Sequence, residues 1–258
     1  MKALASWLRP FTTAAQLLAY LLVLTRVFSS GLHHTYRWFT IYICYETARL
    51  GLFGFIPVAT KLYGYIFFVT QPVTWCLYLL VILELYQLAL KNHPGIAKFA
   101  RRALIIAIWV STLVSVATVA YEMRQASFNI LRTYFVMERL ILSSLLVFLL
   151  LFTAFLAYFP VPLNRNTVTH TRIFACYFLL RTVVLIFRNL ITGDAAYGVN
   201  IVLSLLATGS LLAWAALLSR AGEEIPTSTS YRRDPEHEER LLAQLNAINR
   251  TLLSSAKK

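Results

Sequence analysis

The chain has 258 residues, 59% of them hydrophobic, with a mean hydropathy of +0.65 and a formal net charge of +13. That apolar share excludes an ordinary water-soluble domain, in which about 45–50% of residues are apolar. From Ala221 onward the acids Glu223, Glu224, Asp234, Glu236, Glu238 and Glu239 offset the bases Arg232, Arg233, Arg240, Arg250, Lys257 and Lys258, so the positive excess belongs wholly to the apolar part. Charge spread along apolar segments excludes nucleic acid as the natural partner and points to anionic lipid headgroups at a membrane face.

A helix that crosses a bilayer needs roughly 20 mostly apolar residues. Seven stretches reach that length: 11–31, 38–57, 62–90, 103–123, 128–158, 167–191 and 196–219. The first is too long for the apolar core of a secretory signal, and Ser29-Ser30-Gly31 is a poor cleavage site, so it reads as a true span. The second carries Glu46 and Arg49, three residues apart and therefore on one helix face. The third contains the step Gln71-Pro72, which removes a backbone donor and is expected to kink the helix, and it holds Glu84 near its end. A basic loop, Lys91 to Arg102, follows.

The fifth stretch carries Glu138 and Arg139 ahead of the uncharged run Leu140–Phe159, which leaves no stripe for water. The sixth carries Arg181 near its middle and Arg188 near its end, and the seventh carries Asn200. Ionisable groups inside a bilayer cost roughly 2.5–3.5 kcal/mol each on insertion scales and normally face a bundle interior or a partner. Glu46, Arg49, Glu138, Arg139 and Arg181 are accordingly the candidate ligand-binding set. Arginines would hold a small anionic group and glutamates would orient them, or the same charges would simply pin the spans together. Aromatics around this layer (Tyr42, Tyr45, Tyr63, Tyr65, Phe67, Phe68, Trp75, Tyr134 and Tyr177) read as interfacial belt or pocket wall.

Residues 221–234 read as a flexible linker. Residues 235–258 read as a cytoplasmic amphipathic helix, with Asp234 as N-cap and Pro235 at its first position. Leu241, Leu245, Ile248 and Leu252 form its apolar stripe, the candidate partner-binding face. Docking beneath its own bundle, lying on the membrane, self-pairing and binding another protein would all use that stripe. The bias of Lys and Arg toward the first, third and fifth loops places the N-terminus outside and the tail in the cytoplasm of a plasma (inner) membrane.

Several chemistries lack their residues. No histidine falls mid-span, so paired haem ligands are missing; His33, His34, His93 and His170 read as solvated loop residues, and no metal site is expected. The seventh stretch has no lysine for a retinal Schiff base. Cys44, Cys76 and Cys176 fall inside spans and read as buried free thiols. No Walker loop, H-E-x-x-H, C-x-x-C or nucleophile elbow occurs, so neither an enzyme nor a cofactor is expected.

Trp38-Phe39-Thr40-Ile41-Tyr42, Tyr63-Gly64-Tyr65, Leu83-Glu84-Leu85-Tyr86, Met137-Glu138-Arg139 and Leu245-Asn246-Ala247-Ile248-Asn249 resemble an uncharacterised group of acidobacterial seven-helix integral membrane proteins. The resemblance implies the same architecture and a bacterial membrane, and draws attention to Glu84, Glu138 and Arg139. The expectation is therefore all-α: a seven-transmembrane-helix bundle over 1–220 with a short helical tail. Its expected function is that of a sensor or receptor-like protein with a polar pocket between helices and a tail that meets a cytoplasmic or membrane protein partner. A small transporter or channel, or an accessory or anchor subunit of a larger membrane complex, are the alternatives.

Overall fold

The computed structural model describes residues 2–57, 60–91, 130–158, 162–190, 195–224, 226–228 and 235–255, with isolated positions between 96 and 113. Long helices dominate: α1 (Lys2–Ser29), α2 (Arg37–Phe55), α3 (Lys61–Ala89), α4 (Ile130–Tyr158), α5 (Arg165–Leu190) and α6 (Ala195–Leu217). A helical turn, α7 (Ala221–Glu224), and a C-terminal helix, α8 (Pro235–Ser255), follow. Two short strands, β1 (Pro162–Asn164) and β2 (Pro226–Ser228), pair antiparallel, with Leu163 opposite Thr227.

The architecture is all-helical, as expected. Four helices contain a stretch long and apolar enough to cross a membrane: Pro10–Ser29, Lys61–Ala89, Met137–Leu156 and Arg165–Phe187. The 19-residue α2 falls short in composition because Glu46, Arg49 and two tyrosines interrupt it, and the apolar part of α6, Ile201–Leu217, falls short in length. The expected stretch 103–123 lies largely outside the described residues.

The outward faces of the spans carry large apolar side chains. Leu18 and Leu22 on α1, Phe68 and Val69 on α3, Leu150 and Leu151 on α4, and Leu179 and Phe187 on α5 are all exposed. Apolar surface this continuous is a liability in water and the natural exterior in lipid. Hydroxyls within the helices turn back on their own backbone, as lipid requires. Thr47 donates to the Ile43 carbonyl at 2.7 Å, Thr70 to Ile66 at 2.7 Å, Ser144 to Leu140 at 2.9 Å and Thr153 to Leu149 at 2.7 Å. Cys44, Cys76 and Cys176 are free but exposed, contrary to the expectation of buried thiols. Each occupies an outward position of its helix, a phase that the mere presence of a residue in an apolar stretch does not reveal.

The chain divides into two compact units, residues 1–82 with 179–220, and residues 83–178 with 221–258. In the first, α2 and α3 form an antiparallel pair. The Tyr42 and Tyr78 rings pack at 5.2 Å and those of Phe53 and Tyr63 at 4.8 Å, each pair tilted, so partner numbers fall as the chain advances. Helices α1 and α6 instead run parallel. Ser204 Oγ donates to Gln16 Oε1 at 3.3 Å and Arg26 Nε donates to the Leu218 carbonyl at 2.8 Å, so both partner numbers rise together. Phe39 packs edge-on against the buried Trp214 at 5.2 Å and ties the start of α2 to the end of α6.

A tight connection joins α1 to α2. Gly31 takes φ 73, a left-handed conformation, and the 3₁₀ turn Leu32–His34 follows, anchored by the buried Leu32 and Tyr36. Nothing lies within 4 Å of a Cβ placed on Gly31, so Gly31→Ala meets only a backbone cost, about 1–2 kcal/mol. Thermal unfolding of that variant is expected to begin a few degrees below wild type.

In the second unit the C-terminal ends of α3 and α4 meet. Tyr86 packs at a tilt against Phe152 at 4.7 Å and Phe148 at 5.6 Å. Their core continues through Ala89, Leu90, Ile96, Leu156 and Leu163 to Leu241 and Leu245 of α8. The tail is thus part of this unit's core. The expected linker 221–234 is structured over its first part: α7 and β2 lie within it, and Glu223 accepts from Asn164 Nδ2 at 3.0 Å and from Asn166 Nδ2 at 2.7 Å. Two amides clamping one carboxylate, together with the β1–β2 ladder, hold this segment down. Asp234, the expected N-cap, lies outside the described residues, whereas α8 does begin at Pro235.

Candidate functional site: a polar hub between α2 and α3

Glu46 and Arg49 lie one turn apart on α2, so their side chains meet on the face turned toward α3. Arg49 Nη1 donates to Glu46 Oε1 at 2.9 Å and to Oε2 at 3.2 Å. The same nitrogen reaches Thr74 Oγ1 at 2.8 Å, while Nη2 donates to Gln71 Oε1 at 2.5 Å. Thr74 closes the ring, donating its hydroxyl proton to Glu46 Oε1 at 2.6 Å. A hydroxyl has one proton and two lone pairs, so Thr74 can accept from the arginine and donate to the glutamate together. One turn earlier on α2, the Tyr45 hydroxyl donates to the Thr70 carbonyl at 2.6 Å.

Apolar surface surrounds this ring. The Arg49 guanidinium carbon sits 5.5 Å from the Phe53 ring centre and 5.7 Å from that of Phe67, both within cation–π range. The Glu46 and Arg49 side chains retain 13% and 11% of their exposure, and Gln71 and Thr74 retain 2% each. Shielding of this kind lowers the local dielectric and strengthens each charge-assisted bond. The hub carries one negative and one positive charge, so Glu46 already occupies the place an anionic ligand would take on Arg49.

Gln71 and Thr74 bracket Pro72. Proline supplies no N–H to the Phe68 carbonyl one turn back, and α3 nevertheless continues as one helix from Lys61 to Ala89. The groups that hold Arg49 therefore stand on either side of the weakest point of α3.

The other candidate residues fall elsewhere. Arg181 is half-buried on α5 in the same unit. Glu138 is buried and Arg139 half-buried on α4, and both belong to the second unit. That unit also buries Glu84 and His170. His170 was expected in a solvated loop. It is wholly buried instead, because α5 starts at Arg165 directly after β1 and carries this histidine into its second turn.

The expected partner-binding stripe of α8 is divided by the fold. Leu241 and Leu245 are buried in the unit's own core, Leu252 packs against its edge, and Ile248 stays exposed. Asn249 of the same helix accepts from the Ile96 N–H at 3.3 Å, and the Tyr86 hydroxyl donates to the Ile96 carbonyl at 3.1 Å.

Sequence reasoning singled out Glu46 and Arg49 but missed Gln71, Thr74 and Phe53 as their surroundings. A signal existed: Gln71 and Thr74 repeat the three-residue spacing of Glu46 and Arg49 in the next span, and a helical hairpin brings such pairs face to face. Comparison with protein-family profiles, with characterised proteins and with solved structures finds no match for this chain.

Proposed function

We propose that this chain is a seven-span integral membrane protein of the sensor or receptor-like kind, in which the α2–α3 hub is the element that responds. The span number is supported by helix direction. Helices α3 and α4 end together, and α4 is 29 residues, about 44 Å, long, so the chain must return that distance between Leu90 and Ile130. The apolar stretch 103–123 has the length to make that crossing as a helix. Parallel packing of α1 and α6 likewise calls for an odd number of crossings, and α1 to α6 supply six.

The observation that carries the functional reading is that both α3 partners of Arg49 bracket Pro72. A ligand carboxylate or phosphate that drew Arg49 away would release Gln71 and leave Thr74 bound to Glu46 alone, on either side of a helix weak point. A local exchange of charge partners would then become a change in the course of α3. A buried ion pair is weak evidence for stability as such, since apolar residues of similar volume often serve equally well.

The closed, neutral state of the hub and the self-covered tail favour a second reading, an accessory or anchor subunit whose charges only lock helices. Native mass spectrometry of protein drawn from its own membrane in mild detergent separates the two. A small added mass that disappears in Arg49→Gln supports the sensor, whereas an added protein-sized mass supports the subunit. A bare chain mass from wild type contradicts the sensor reading and turns attention to transport assays.

A further inference from the structure

We propose that the corner formed by the end of α1, the start of α2 and the residues just after α6 binds the phosphate of an anionic phospholipid. Three arginines, Arg26, Arg37 and Arg220, belong to this corner of the unit. Arg26 is fixed by its Nε bond to the Leu218 carbonyl at 2.8 Å, Arg220 follows two residues beyond that carbonyl, and Arg37 opens α2. All three are exposed. Between them runs the rigid 3₁₀ turn that carries His33 and His34, whose rings lie 3.9 Å apart, with Phe28 at 5.0 Å from His33. His33 Nδ1 is buried without a hydrogen-bond partner.

Among the described residues of this unit the sole acid is Glu46, and Arg49 already holds it. Glu223 and Glu224 follow Arg220 by three and four residues, and Glu223 is already held by Asn164 and Asn166, so within its own unit the corner is a cluster of cations and imidazoles. It stands at the end of apolar helices, where a headgroup phosphate lies, and exposed Trp38 beside Arg37 is the aromatic type favoured at that depth. A lipid, with acyl chains to lie along exposed Phe28 and Leu22 of α1, satisfies both the charge and the apolar flank; free phosphate satisfies only the charge. A basic residue near an anionic surface adds about 1 kcal/mol, roughly fivefold in partition, so three arginines give about a hundredfold preference over a zwitterionic lipid.

This inference rests on the reading that the chain spans a membrane, and carbonate extraction of membranes tests that reading alone. The site itself is tested on the full-length protein in nanodiscs containing phosphatidylglycerol and phosphatidylcholine in equal parts, released into the mass spectrometer with bound lipid counted. Wild type is expected to retain phosphatidylglycerol selectively. Arg37→Gln/Arg220→Gln, which removes two exposed arginines and no described hydrogen bond, is expected to lower that retention about 25-fold. Lys61→Gln, at the other end of α3, is expected to leave it unchanged. Equal retention of both lipids by wild type, an unaltered double variant, or displacement of the lipid by millimolar inorganic phosphate would overturn the proposal.

Discussion

Replacing Arg49 with leucine is expected to destabilise the protein by about 2–4 kcal/mol, somewhat below the cost of stranding a fully buried carboxylate because Glu46 keeps 13% of its exposure. Glu46 would keep only the Thr74 hydroxyl, and Gln71 would lose the guanidinium it accepts from. The double change Glu46→Leu/Arg49→Leu is expected to cost distinctly less, because apolar residues of similar volume replace the whole pair in a shell already lined by Phe53 and Phe67. Apparent melting temperature in detergent, followed by tryptophan fluorescence, should fall by on the order of 10 °C for the single variant and recover part of that in the double. A single variant no less stable than the double would mean that Glu46 reaches water or another cation. The hub would then not be the closed unit described above.

The second large effect is expected at Leu245. It is fully buried, in a core shared with Tyr86, Leu90, Phe152 and Leu156, so Leu245→Ala removes about 2–5 kcal/mol of packing. That loss falls on one edge of the unit and should free α8 before the spans come apart. Hydrogen exchange is the appropriate readout: amides of 241–252 should lose protection while those of α3 and α4 keep theirs. Ile248→Ala, on the exposed side of the same helix, is expected to leave protection unchanged. Loss of protection in α3 itself would show that the tail holds the unit together rather than resting on it.

Much of this fold is legible in the sequence because lipid imposes simple rules. Apolar length marks α1, α3, α4 and α5, and the Asp-Pro start with a 4-3-4 leucine spacing marks α8. The pairing of Glu46 with Arg49 is legible as well, being local to one helix turn. What escapes is set by helix phase and long-range contact. The three cysteines turn outward although they lie in apolar stretches, and His170 turns inward although it lies near a loop. Neither direction is fixed until neighbouring helices choose a face. The tail shows the same limit: its stripe is plain in the sequence, but the surface that receives it is assembled from α3, α4 and β1. Residues 221–234 read as linker because Pro, Ser and Thr dominate from Ile225 to Arg233, whereas 221–224 and 226–228 are held by Asn164 and Asn166 and by the β1–β2 ladder.

The meeting of the α3 and α4 ends gives the membrane reading its most exposed consequence. If both helices cross a bilayer and finish on one side, residues 103–123 must cross it too, and their two flanks must lie on opposite faces. The direct measurement is labelling by a membrane-impermeant thiol reagent on intact cells. Its subjects are a chain with Cys44, Cys76 and Cys176 changed to serine and a single cysteine restored, in turn, at Lys98→Cys and Arg124→Cys. The seven-span account predicts labelling from outside at position 124 and protection at position 98 until the membrane is opened. Equal behaviour of the two positions would contradict it, and with it the parity on which the orientation of the tail depends.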